Sequence, residues 1–151
     1  MEEQFVTFFV GDKLFAVNIF DVREVVRFEK IIPIPDAPAY VEGVANLRGI
    51  VLPVIALRKR LGFGETDLSR AKIVVVMVED ILVGMLVDQI DRVIHVSKDH
   101  IQDAAGLSLS GAAQHFVDGI IQQGEEIIYR VDIRRLFTVE MRDFLEKKIV
   151  E

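Results

Sequence analysis

Apolar positions along this chain come in short runs closed off by turn residues, a pattern of strands rather than helices. Residues 5–10 end at Gly11-Asp12 and residues 14–17 follow, which predicts a hairpin. Residues 22–28 read as a third strand. Residues 73–78, the pair Glu79-Asp80 and residues 81–87 predict a second hairpin, and runs at 90–96, 116–122 and 127–131 complete the set. Gly43 and Gly49 bracket a further short strand. Pro53 interrupts the strand after it, so that strand is expected at a sheet edge or bulged there. Short strands at close spacing predict an all-β sandwich or a pair of barrels.

Helical signals are few. Asp36-Ala37-Pro38 is placed to open a single turn that ends near Gly43, because proline suits a first helical turn. Arg58-Lys59-Arg60 before Gly62 reads as the basic last turn of a short helix. At the C-terminus Thr138 is a cap for a helix whose Met141, Phe144, Leu145 and Ile149 form an apolar stripe, expected to dock on the body of the protein.

The pattern repeats. Sliding the chain along itself by 68 positions lays residues 5–10 on 73–78 and Val22-Arg-Glu-Val-Val26 on Ile90-Asp-Arg-Val-Ile94. Farther on the offset is 76 positions, and Val41-Glu42-Gly43-Val44 falls on Val117-Asp118-Gly119-Ile120. The longer offset marks an insertion in the second copy, in the Gly/Ser/Ala-rich stretch 103–113. Two copies are too few for a solenoid. They predict two similar β units side by side with a groove between them, divided as residues 1–70 and 71–151.

Composition sharpens this. Valine and isoleucine number 22 and 17 of 151 residues, and β-branched side chains favour pleated surfaces. Hydrophobic residues reach 51%, rich for a soluble domain but natural if each unit needs a core and an interface as well. There is no cysteine, which excludes disulfides, thiolate zinc sites and cysteine nucleophiles. The net charge of −6 argues against nucleic-acid and anionic-membrane partners. The longest apolar runs fall short of the ~20 residues of a membrane-spanning helix. The N-terminus lacks the basic start and small-residue cleavage site of a secretory leader. A cytoplasmic protein without direct membrane insertion is expected.

No catalytic constellation emerges. His95 and His100 flank a turn at a spacing unlike that of zinc motifs, so no metal is expected. Gly106-Leu-Ser108-Leu-Ser110-Gly111 misses the glycine that a nucleophile elbow needs, and Gly62-Phe63-Gly64 has no lysine to make it a phosphate loop. Neither a cofactor nor an enzymatic activity is expected.

One stretch is distinctive: Val41-Glu-Gly-Val-Ala-Asn-Leu-Arg-Gly49, followed by an apolar strand with Pro53 and the turn Leu57-Arg58. With the Gly11-Asp12 hairpin, Val22-Arg-Glu24-Val25, Pro33 and Pro35, and Val87-Asp88-x-Ile90-x-x-Val93, it resembles the CheW family of chemotaxis coupling proteins. The resemblance covers essentially the whole chain. It implies two five-stranded SH3-like barrels around a shared core, with first strands able to cross between the halves, to which the residue pattern adds the short C-terminal helix. It implies an adaptor that joins the cytoplasmic tips of chemoreceptors to the regulatory domain of the histidine kinase CheA.

The resemblance also implies sites. Val22, Glu24 and Val25 match the family's receptor-side strand, Arg48 its N-L-R-G arginine, and Val87, Ile90 and Val93 the facing strand of the second barrel. Such a slot would take a helix face, with Glu24 and Arg48 able to pair at its rim. Gly43, Val44 and Leu47 are the expected kinase contacts. A same-fold adaptor for another receptor–kinase pathway, in surface motility or development, is the alternative. An SH3-like nucleic-acid or small-molecule binder would need a basic or aromatic face that a chain with no Trp and two Tyr does not advertise.

Overall fold

A computed structural model describes residues 2–27, 30–103 and 116–137. Among them eleven strands alternate with short helical turns. The strands are β1 (Glu2–Val10), β2 (Lys13–Asn18), β3 (Val22–Val26), β4 (Val41–Leu47), β5 (Ile50–Ala56), β6 (Lys72–Val78), β7 (Ile81–Val87), β8 (Gln89–Ser97), β9 (Ile101–Asp103), β10 (Val117–Gln123) and β11 (Glu126–Val131). One-turn helices α1 (Leu57–Arg60) and α2 (Ile133–Leu136) follow β5 and β11. Three-residue 3-10 turns precede β3 and β9, each opened by a side chain that accepts a backbone N–H, Asn18 for one and Ser97 for the other.

The strands form two sheets, ordered β8-β1-β2-β11-β10-β9 and β3-β6-β7-β5-β4. The internal repeat explains both. Its offsets lay β1 to β5 on β6, β7, β8, β10 and β11, and α1 on α2. Under that mapping the second sheet has the order of the first, with β9 added from the inserted stretch. Each sheet also holds one parallel pair at the equivalent place: β2 beside β11, with Ala16 opposite Arg130, and β5 beside β7, with Val54 opposite Gly84. The two sheets are not the two halves of the chain. Each takes its first two strands from one repeat and the next three from the other, an exchange made twice within one molecule.

This exchange sets the burial pattern. Phe8, Phe15 and Val17 of the first sheet meet Ile55, Val74, Val76 and Met85 of the second in one shared core. On the other face each sheet curls over a core of its own: Phe5, Leu14, Ile94 and Ile121 in one, Leu52, Ile73, Val75 and Leu86 in the other. Central strands are therefore buried on both faces and read as unbroken apolar runs, as strands covered on both sides do. The mainly β, two-subdomain SH3-like architecture accounts for the hydrophobic share.

Several local expectations change. The turn expected over residues 36–43 is shorter and not an α-helix: Asp36 takes a left-handed φ of 61°, and one turn closes at Pro38–Val41, where the Val41 N–H donates to the Pro38 carbonyl at 3.0 Å. The strand β5 is not an edge, for it lies between β7 and β4. Pro53 is tolerated there because Val44 opposite it spends its own N–H and C=O on Ile32, both at 2.8 Å. The missing N–H of Pro53 thus faces β7, where the parallel ladder starts only at Val54. The expected C-terminal helix, with Thr138 and Met141, lies outside the described residues. No helix among the described residues is long and apolar enough to cross a membrane.

Candidate functional site

Arg48 stands at the tip of the β4–β5 hairpin. Leu47 pairs with Ile50, so the loop is two residues, Arg48 and Gly49. Their φ angles are 49° and 87°. Two successive positive values make the mirror-image turn whose twist matches paired strands. Gly49 suits it, and the Asn46 carboxamide oxygen accepts the Gly49 N–H at 2.8 Å. Arg48 has no such ease, since a side chain at positive φ is strained. The turn thrusts it outward, with 69% of its side chain exposed.

It meets Glu24 on β3. The guanidinium grips the carboxylate with both forks: Nη1 donates to Oε1 at 3.0 Å and Nη2 donates to Oε2. β3 and β4 are the two outer strands of their sheet and are not hydrogen-bonded to each other. The pair therefore clasps the open seam of the barrel. Hydrogen bonding to Arg48 holds the Glu24 carboxyl below the usual carboxylate range, and the same contact raises Arg48. Bidentate arginine–carboxylate geometry gives direction as well as attraction.

The other barrel repeats the device with the charges reversed. Arg92, the repeat counterpart of Glu24, donates to Glu126 at the start of β11 at 2.6 Å and to Asp91 at 2.5 Å. Hydrogen bonding to Glu126 is the main cause that raises Arg92. Thr7, the one fully buried polar residue among the described residues, donates to Asp91 Oδ2 at 2.8 Å and accepts the Arg92 N–H at 3.1 Å. These bonds sit where the β1–β8 register shifts between Val6 and Phe8, and they fix the bulge.

The apolar candidates divide. Val22 and Ile90 are repeat counterparts, half-buried against the shared core from opposite sheets. Val25 and Val93, also counterparts, are 40% and 50% exposed. Val87 is fully buried in the shared core and offers no surface; its place at the end of β7 turns it inward, so it leaves the set of contact residues. Gly43, Val44 and Leu47 lie on β4. Leu47 and Arg48 border a cavity of about 410 Å³ between the outer strands, floored by Val26, Leu52 and Ile73. Gly43 is buried, and a Cβ there would stand 2.1 Å from the Ile32 carbonyl oxygen. Its backbone, at φ 148°, lets residues 31–32 cross β4. Gly43 shapes the surface that Val44 and Leu47 present.

Some exposed residues escaped the sequence reading. Ile50 and Val51 sat inside an apolar run but are 51% and 57% exposed. The β5–β7 ladder covers only Val54–Ala56, so Ile50 and Val51 pair with β4 alone, at the tip of the β4–β5 hairpin, and Pro53 is the available signal for that break. Phe20 is 86% exposed in the turn before β3, and nothing in its neighbours announced it. His95 lies on β8, 3.9 Å from Glu2, and His100 ends the next 3-10 turn.

Residues 4–141 match the family model described as CheW-like domain. The chain is 37% identical over 144 residues to the chemotaxis protein CheW of Treponema pallidum, covering 91% of this chain and 84% of that one. It is 36% identical over 141 residues to chemotaxis protein CheW of Rhizobium meliloti, covering 93% and 90%. Among solved structures, the scaffolding protein TtCheW of Thermoanaerobacter tengcongensis superposes with a TM-score of 0.84 at 31% identity, covering 93% of this chain and 96% of that one.

Proposed function

The chain belongs to the CheW-like domain family, the scaffold proteins of chemotaxis, and from that premise we propose that it is a non-enzymatic adaptor coupling the cytoplasmic tips of chemoreceptors to the histidine kinase CheA. The observation that carries the reading is the clasp of Arg48 on Glu24 beside exposed Val25: an arginine held out by a strained turn, matched in charge, next to an apolar strand edge. A receptor helix would lay its apolar face on Val22, Val25, Ile90 and Val93, with Glu24 and Arg48 at the rim. Val44 and Leu47, on the backbone that Gly43 shapes, would meet the kinase's regulatory domain. We read residues 1–70 and 71–151 as two copies of one duplicated unit, with each barrel drawing on both.

Pull-down with a purified CheA regulatory domain and with a receptor tip fragment tests the proposal. Retention of both supports it. Retention of neither overturns it.

A further inference from the structure

The two halves of the chain hold each other through exchanged strands. We propose that the strand edges joining the two halves of this chain are an interaction surface whose fitting partner is a second copy of the chain, so that two molecules trade halves into a closed dimer.

Among the described residues the ladders between the halves are β1 on β8 from Glu2–Ser97 to Phe9–Gln89, β2 on β11, β3 on β6 and β5 on β7. Their inner faces close the shared core. The covalent link between the halves is one segment, residues 61–71, with no strand partner. Apart from half-buried Thr66, its residues 62–70 are exposed. Gly62 N–H donates to the Lys59 carbonyl at 3.1 Å and Phe63 N–H to the Arg58 carbonyl at 2.8 Å, so the first turn stays with α1. Beyond it, Gly62 and Gly64 hold φ of 80° and 90°, with open space around each. These are hinge positions free to take other angles.

When residues 62–70 straighten, the described residues up to Leu61 of one chain and from Ala71 of another meet the same edges in the same register. The two barrels re-form twice, and Leu61 and Ala71 keep their places in the cores. The dimer is isologous and closed, so it stops at two. Relative to two monomers it gives up translational freedom for the same set of contacts, so its share grows with protein concentration. Such a dimer carries two Arg48–Glu24 clasps on one rigid body.

The test uses the whole chain. Gln4 and His95 face each other in register on β1 and β8, both exposed, and the chain has no native cysteine. The Gln4→Cys, His95→Cys double variant is unfolded, refolded at low and high concentration, oxidised, and analysed by light scattering and non-reducing gels. The expected result is a doubling of mass at high concentration with the disulfide joining two chains, and a larger dimer share when residues 65–69 are also deleted. Two results overturn the proposal: monomer at all concentrations, or a dimer whose thiols close within each chain, which is surface association. If the deletion variant does not fold, the full-length double variant decides alone.

Discussion

Glu24 and Arg48, 24 positions apart in sequence, close the seam between two outer strands that share no backbone hydrogen bond. Because hydrogen bonding to Arg48 is the main cause that depresses Glu24, the pair stays closed as pH falls through the ordinary carboxylate range and opens only below it. Any stability it contributes is present above that range and lost on acidification, and it is small at an exposed site. Arg48→Ala is expected to raise the titration midpoint of Glu24, read from its carboxyl shift by NMR. An unchanged midpoint contradicts the clasp.

Gly43 separates architecture from recognition. Gly43→Ala puts a methyl against the Ile32 carbonyl at a backbone angle side chains rarely adopt. Strain and crowding together are expected to cost about 2–4 kcal/mol. Urea denaturation measures this as a lower midpoint at unchanged slope. A variant of unaltered stability would mean that residues 31–32 move aside freely.

Val87 and Val93 bracket the same reading. Val87→Ala empties a fully buried site and is expected to destabilise by about 2–3 kcal/mol. Val93→Ala, at a half-exposed position, is expected to stay within about 0.5 kcal/mol of the parent while weakening capture of a receptor tip. Thermal melts and pull-downs on the two variants, side by side, check both halves of the statement.

Thr7→Val keeps the shape but removes the hydroxyl shared by Asp91 and the Arg92 backbone. Leaving those groups short of a partner is expected to cost about 1–3 kcal/mol. It should also loosen β8 around its bulge, seen as faster amide exchange at Arg92 and Val93. Unchanged protection there would assign the bulge to packing alone.

Much of this was legible in the residues. Turn pairs such as Gly11-Asp12 and Glu79-Asp80 punctuate the strands, and the repeat offsets turned out to map strand on strand. Exchange between repeats was not legible from those patterns, since period-2 strands pair equally well within a repeat or across it. Arg48 stands out through the resemblance, as the arginine of the N-L-R-G stretch bracketed by Gly43 and Gly49. Val87 enters the receptor-side set through the resemblance alone, and a strand buried on both faces shows no alternation to mark that its side chain turns inward. The exposure of Ile50 and Val51 depends on where β5 parts from β7, a tertiary fact signalled in sequence only by Pro53.

The coupling of receptor to kinase is the central claim, and its most direct measurement is CheA autophosphorylation in a reconstituted mixture with receptor fragments. Adding this chain is expected to change kinase activity in a receptor-dependent way, and the Arg48→Ala variant, folded by circular dichroism, is expected to couple more weakly. Kinase activity that ignores the chain, with or without receptor, would contradict the account.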